Sequence, residues 1–300
     1  LELAAAWVKV LSCQKIAEEI AHNLDILTTR YQNIPSRHRS MRAVLEQSWQ
    51  LLTPAEQQVL ERLAVFAHGF TQEAAREIAD AALLTLATLA EKALVRVTQD
   101  PLGHSRYHMH ELLRQFVAEK LAAHPAAQAV TCDRHSAYYL RFLNHYAPAL
   151  TGIEQQHALQ AIDAELENVR AGWHWAVSQR RVDTLREVLQ PLYDFYQIQS
   201  RYLEGKELFA QALEQWDATE LGAPDAAMRL LYICLQARAG AFCHFLCEYE
   251  SASAYLQRCL AAGQAVDQPA ERAFVLNFLG QLAMWRGEKS VAKQQLTQSL

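Results

Sequence analysis

The sequence predicts a mainly α-helical protein in which short helices and a small β-hairpin form a winged helix, followed by a solenoid of helical hairpins. Three observations predict it. The 300 residues are 51% apolar and 20% charged with only 10 Gly and 8 Pro, a balance that suits helices and excludes disorder or a turn-dense β-sandwich. The hydrophobic period changes from helical to two between Leu94 and Met109. The last third repeats one pattern of apolar and small residues every 40 to 47 positions.

From Leu1 to Leu27 the periodicity predicts two helices, the second capped by Ser12 and carrying Ile16, Ile20 and Leu24 on one face. Residues 28 to 40 are polar, contain Pro35 and several basic side chains, and mark a boundary. The basic run Arg37-His-Arg39, with Arg30 and Arg42 nearby, is expected to be solvated. A domain then extends over 34–124. Its first helix, Met41 to Leu52, stops at Thr53-Pro-Ala-Glu56, a capping box with Pro at the first helical position. The helix that starts there turns Val59, Leu60, Leu63, Ala64 and Phe66 inward and is expected to end at Gly69. Thr71 caps a short helix, and another from about Ala82 to Ala93 holds Leu83, Leu86, Leu89 and Ala90 on one side. Leu94–Thr98 and Ser105–Met109 alternate and are joined by Asp100-Pro-Leu-Gly103, which makes them a hairpin. The helix Glu111 to Ala122 closes the domain on Leu112, Leu113, Phe116, Val117 and Leu121.

Residues 125–180 read as a helical connector with the aromatic stripe Tyr138, Tyr139, Phe142 and Tyr146. In the repeat region, 181–300, Tyr193, Tyr196, Gly205 and Phe209 align with Gly240, Cys243, Ala252 and Leu256, and again with Gly280, Ala283, Ala292 and Leu296. Small residues recur where paired helices must approach closely, the mark of a helix-hairpin solenoid. The chain opens without Met inside an apolar helix and its last repeat runs to Leu300, so it is expected to belong to a longer protein.

Composition also excludes functions. With 28 Lys+Arg against 33 Asp+Glu the formal charge is −5, without the basic surplus of a phosphate-binding surface. The helix before the hairpin offers one cation, Lys92, and no Arg, Asn or Gln for a base edge. Direct nucleic-acid binding is therefore not expected. Six Cys without a CxxC pair suit reduced thiols, and nothing reads as a signal peptide or membrane span, so a cytoplasmic location is expected. No phosphate-binding loop and no nucleophile elbow occurs, so the chain alone is not expected to be an enzyme or to hold a cofactor. His104, His108 and His110 share parity on the hairpin, and Cys243 and Cys247 lie one turn apart, but neither set has the companions a metal needs, and none is assigned.

The order of these pieces resembles the C-terminal half of bacterial signal-transducing ATPases with numerous domains, relatives of the apoptotic and plant immune-receptor (NB-ARC) ATPases, and the repeats resemble tetratricopeptide repeats. Four residue groups carry the resemblance: Leu1–Val8, Leu52–Phe66, Met109-His110-Glu111, and Asp163–Trp175. It implies that residues 1–33 end the helical subdomain of an upstream ATPase module. It also implies that the winged helix packs on that module and that His110 approaches the phosphates of bound ADP. A neutral imidazole N–H can donate to a phosphate oxygen. Glu111 stands where the family prefers Asp, and its carboxylate could cap the helix that begins there. ADP or ATP with Mg would belong to the intact parent, the upstream nucleotide-binding domain would be a partner in the same chain, and transcriptional regulation would be the output.

The repeats are expected to bind an effector protein, peptide or small molecule. Trp173, Trp175, Tyr193, Tyr196 and Tyr202, with Phe195, form an aromatic concentration that could line its groove, helix packing being the alternative. Two other classes remain open from the residues, a stand-alone repeat scaffold without nucleotide and a winged-helix DNA-binding repressor.

Overall fold

A computed structural model describes residue 8 and residues 12–15, 41–99, 103, 105–216, 226–263 and 268–299. The expected helices of 1–27 and the linker 28–40 therefore lie largely outside the described residues, as do His104 and most of the hairpin loop. Ser12 is described, and its Oγ accepts the Lys15 amide at 3.2 Å, the expected N-cap geometry. The fold is mainly helical with one three-stranded sheet, and the chain divides into two compact units between Tyr138 and Tyr139.

In the first unit, α1 (Met41–Gln50) and α2 (Pro54–Leu63) meet at the predicted capping box. Thr53 Oγ1 accepts the Glu56 amide at 3.3 Å while Glu56 returns a carboxylate oxygen to the Thr53 amide at 2.7 Å. Glu56 does more than cap, because its other oxygen accepts from Lys92 Nζ at 2.7 Å and so ties α2 to the end of a later helix. Helix α2 ends at Leu63, not at Gly69, and the chain then runs through turns that still bury Ala64 and Phe66.

A two-residue strand, β1 (Phe70–Thr71), follows and was not expected from the sequence, since two residues show no period. After it come α3 (Gln72–Ala79), capped by Thr71, and α4 (Leu83–Glu91). Leu86 and Leu89 of α4 are buried as predicted, but Leu83 is exposed together with Leu84. The hairpin β2 (Val95–Gln99) and β3 (Ser105–Met109) pairs Val97 with Tyr107, and β1 adds to the other edge of β3, giving the antiparallel order β1-β3-β2. Just before β1, a Cβ on Gly69 would sit 2.4 Å from the His108 ring, so any larger residue there would displace that ring. Helix α5 (Glu111–Ala122) buries Leu113, Phe116, Val117 and Leu121. Arg42, expected to be solvated, instead binds Glu119 on α5 at 2.5 and 3.1 Å.

Helix α6 (Pro125–Tyr146) starts in the first unit and ends in the second. A 3₁₀ turn (Ala147–Thr151) leads to α7 (Gln155–Ala164), α8 (Leu166–Ser178), α9 (Val182–Ile198), α10 (Tyr202–Gln215), α11 (Ala226–Phe245), α12 (Tyr249–Gly263), α13 (Pro269–Trp285) and α14 (Lys289–Gln298). The three aligned repeats are the hairpins α9–α10, α11–α12 and α13–α14. Each turns through one residue in the left-handed region, Ser200 (φ 56°), Cys247 (φ 61°) and Gly287 (φ 78°). The next amide bonds back to the carbonyl five residues earlier: Arg201 to Tyr196, Glu248 to Cys243 and Glu288 to Ala283, at 2.8 to 2.9 Å. This is the Schellman closure of a helix end. Arg180 (φ 52°) makes the same turn between α8 and α9, with Arg181 bonding back to Ala176. The array therefore has a fourth turn, outside the three repeats that the sequence alignment brings together.

Helices within a hairpin touch where the alignment placed small residues. A Cβ on Gly240 would lie 3.0 Å from Leu256, and one on Gly280 would lie 2.6 Å from Leu296. Successive hairpins are also stapled by equivalent aromatic pairs, Tyr202 with Phe245 at 4.8 Å and Tyr249 with Trp285 at 4.1 Å between ring centres.

Candidate functional site

His110 ends the sheet and begins a helix. It is the N-cap of α5, in extended conformation, and its Nδ1 accepts the Leu112 amide at 3.2 Å. A nitrogen that accepts carries no proton, so the proton of the neutral ring sits on Nε2. The residue is exposed, and its ring can present that N–H as a donor. Glu111 is not the cap. It is the first helical residue, and both of its oxygens are engaged by Arg114 at 2.7 and 2.8 Å, which holds its carboxyl below the usual range. The physical reason is reach, since a residue inside the first turn cannot fold back on the amides that the N-cap already serves.

His108 faces away from this role. Its Nε2 lies 3.0 Å from Thr98 Oγ1, its ring covers Gly69, and burial lowers its pKa. Among the described residues no three His, Cys, Asp or Glu side chains come together as a metal set. Cys243 is buried and Cys247 exposed. On α4 the cation Lys92 is spent on Glu56, and the exposed surface near its start is apolar, Leu83 and Leu84.

The aromatic set of the second unit is corrected by burial. Trp173 and Tyr196 have no exposed surface. Trp173 packs on Phe209 at 5.7 Å, and the Tyr196 hydroxyl accepts Arg170 Nε at 2.8 Å. Tyr193 is 6% exposed between Phe242 and Phe274, and Tyr202 stacks on Phe245. Only Trp175 and Tyr202 keep partial exposure. These rings hold helices together, because large apolar surfaces inside a hairpin stack gain most by contact with one another.

A groove of about 460 Å³ lies instead along the first helices of the three hairpins, α9, α11 and α13. Arg238 forms its floor and is 5% exposed. Its guanidinium binds both oxygens of Glu271 on α13, donates to Gln190 Oε1 on α9 at 2.7 Å, and lies 4.3 Å from the centre of the Phe274 ring. Gln190 passes the chain on, its Nε2 donating to Asp194 at 2.7 Å, and burial raises the Asp194 pKa. One side chain thus links three successive hairpins. Arg238 Nε remains buried without an acceptor. Beside it the Cys234 thiol is pushed up to about 12 by burial and the neighbouring Glu271. A smaller apolar recess of about 120 Å³, between α11 and α13, shares Leu230, Gln268 and Glu271 with the groove.

Sequence reasoning missed Arg238, although a signal existed. It is the one charge between Ile233 and Cys243, where every residue is buried, and a charge inside such a run must be paired.

No protein family model matches the chain. A protein of Mycobacterium tuberculosis provisionally described as an HTH-type transcriptional regulator is 28% identical over 221 residues, 71% of this chain and 25% of that protein. Its counterpart in Mycobacterium bovis matches equally. An uncharacterized Mycobacterium tuberculosis protein is 30% identical over 138 residues, 43% of this chain and 35% of its own length. The chain thus spans about a quarter of the length of the first two relatives. Among solved structures, a STAND protein with a tetratricopeptide repeat sensor from Pyrococcus horikoshii aligns with a TM-score of 0.31 at 13% identity, covering 100% of this chain and 52% of that one. Among the described residues, no helix is long and apolar enough to cross a membrane.

Proposed function

We propose that this chain is the regulatory and sensor region of a STAND-type signal-transducing ATPase. In this reading residues 34–124 form a winged helix that restrains the ADP-bound state, and the hairpin array of residues 181–300, of tetratricopeptide type, binds an effector. A helix, a short strand, two helices and a hairpin, with β1 paired to the far strand of that hairpin, support the winged-helix assignment. The apolar exposed start of α4 and the pairing of Lys92 favour packing on protein over reading of DNA. Transcriptional control as the output is supported by the description of the mycobacterial relatives.

The observation that carries the proposal is the role of His110. Because its Nδ1 caps α5, its Nε2–H is left to donate to a phosphate oxygen supplied by the upstream nucleotide-binding domain. An effector that binds the array more tightly in the open form would then shift a closed, ADP-bound population toward an open, ATP-bound one. Mg would accompany the nucleotide in the parent, and the chain itself supplies no catalytic group in this scheme.

The test is the ADP that co-purifies with the full-length protein. His110→Asp keeps a good helix cap but places a negative charge at the phosphates, so it should lose ADP at least about tenfold with the fold intact. His110→Asn keeps both a cap and a donor and should retain more. Equal ADP content in all three proteins, or none in the unsubstituted one, would overturn the proposal.

A further inference from the structure

The second and third hairpins, α11–α12 and α13–α14, are joined unevenly. At their turns they are stapled by Tyr249 and Trp285. At their opposite ends they leave the recess of about 120 Å³, walled by Leu230 and Ile233 of α11, Cys259 of α12, and Val275 and Leu276 of α13, none more than 8% exposed. The repeat alignment explains the gap. In the register that sets Gly240 opposite Gly280, Gln268 and Arg272 take the places that Met228 and Tyr232 hold one repeat earlier. Met228 is buried and Tyr232 half-buried, whereas Gln268 and Arg272 are exposed at the margin of the recess. Polar side chains drawn to water leave unfilled the space that apolar ones would occupy. Of the two charges at the margin, Glu271 is bound at both oxygens by Arg238, while the Arg272 guanidinium has no ion pair among the described residues. The wall itself is neutral, since burial pushes the Cys259 thiol up to about 12.

We propose that this recess binds a small aromatic carboxylate, its single ring seated between the second and third hairpins and its carboxylate on Arg272. The size follows from the volume. An apolar protein cavity of about 150 Å³ takes one benzene ring, so a recess of about 120 Å³ admits one ring and excludes two fused ones. A ring suits the space better than an alkyl chain of equal volume, because a confined chain loses rotamer freedom that a rigid ring never had. The charge follows from Arg272, whose planar fork matches a carboxylate and is not spent on a neighbour. The bound ring would touch α11, α12 and α13 together, so occupancy would tie the third hairpin to the second. The inference rests on the proposed effector role of the array and names its ligand, but its test does not involve nucleotide.

The experiment is calorimetric titration of the full-length protein with benzoate, its neutral isostere benzamide, hexanoate and naphthoate. Benzoate should bind, benzamide about tenfold more weakly for want of the charged contact, hexanoate more weakly than benzoate, and naphthoate not at all. Arg272→Gln, on an exposed residue, should make benzoate and benzamide bind alike while leaving the melting temperature unchanged. Gln268→Met with Arg272→Tyr, which copies the second hairpin into the third, should fill the recess, abolish binding of both, and leave the melting temperature equal or higher. The proposal is overturned if benzoate does not bind at millimolar concentration, if benzamide, hexanoate or naphthoate binds as tightly, or if Arg272→Gln still prefers benzoate. Failure here with ADP retention still dependent on His110 would reject the ligand class and leave the regulatory proposal standing.

Discussion

The two units hold together by different means. The first joins its elements by varied devices, a capping box doubled by Lys92 at Glu56, a His ring over Gly69, a His cap at α5, and at Ala93 (φ 56°) a left-handed turn with the Leu94 amide bonded back to Leu89. The second repeats one device four times, a left-handed residue closed by a backward hydrogen bond, with close helix contacts at Gly240 and Gly280. The difference teaches where function can be varied. In an array of nearest-neighbour contacts an exposed side chain such as Arg186 can be changed without redesigning its surroundings, whereas a buried link such as Arg238 or a cap such as His110 is fixed by the contacts it serves.

Substitutions can break that contrast. Trp173→Ala should cost the most, about 3–5 kcal/mol, because the ring is fully buried and leaves a cavity against Phe209. Chemical denaturation of the purified chain measures it. A loss below about 1 kcal/mol would mean that the hairpins do not depend on this packing. Gly205→Ala comes next, at about 1–3 kcal/mol, since its Cβ would lie 2.5 Å from the Phe242 ring and 3.1 Å from Tyr196. In the first unit Thr53→Ala should cost about 1 kcal/mol by removing the side-chain half of the capping box. Cys247→Gly should be smallest and of opposite sign. Relief of left-handed strain, about 1–2 kcal/mol, slightly exceeds the entropy that Gly loses, about 0.5–1 kcal/mol.

Acid sharpens the same comparison. Glu56, bound by Lys92 and the Thr53 amide, and Glu248, bound by Lys206, both titrate below their ordinary 4.5. A carboxylate depressed in the folded state contributes stability that is complete above the unfolded value and lost as the pH falls through the folded one. Melting temperature should therefore fall below pH 4.5 in the native chain. Lys92→Met should flatten the fall more than Lys206→Met, because Glu56 is buried and Glu248 is half-exposed. The reverse order would assign the acid sensitivity to the repeats.

Much of this was legible in the residues, and the misses have causes. The capping box, the two hairpin strands and the three repeats depend on local patterns of period, cap and small residue, which a sequence displays. Strand β1 is too short to show a period, and its partner lies 37 residues away, Phe70 opposite Tyr107. The turn at Arg180 is set by backbone geometry that any side chain tolerates at some cost. At the sites, His110 is singled out by the family resemblance of Met109-His110-Glu111, and the structure makes it the cap of α5. The aromatic residues were visible, but their burial was not, since periodicity alone cannot tell which face of a stacked helix meets a neighbour and which meets a groove. Arg238 stands out as the one charge in an apolar run, but its partners Gln190 and Glu271 come from helices distant in sequence.

Native-state hydrogen exchange on the chain tests the contrast most directly. Opening free energies in the second unit should be graded, highest in α11, buried at every position from Ile233 to Cys243, and lowest in α14, where only Ala292 is buried. The helices and sheet of the first unit should open together. A single opening energy across α8 to α14 would contradict the account, because it would show the repeats to be one indivisible body and not an array.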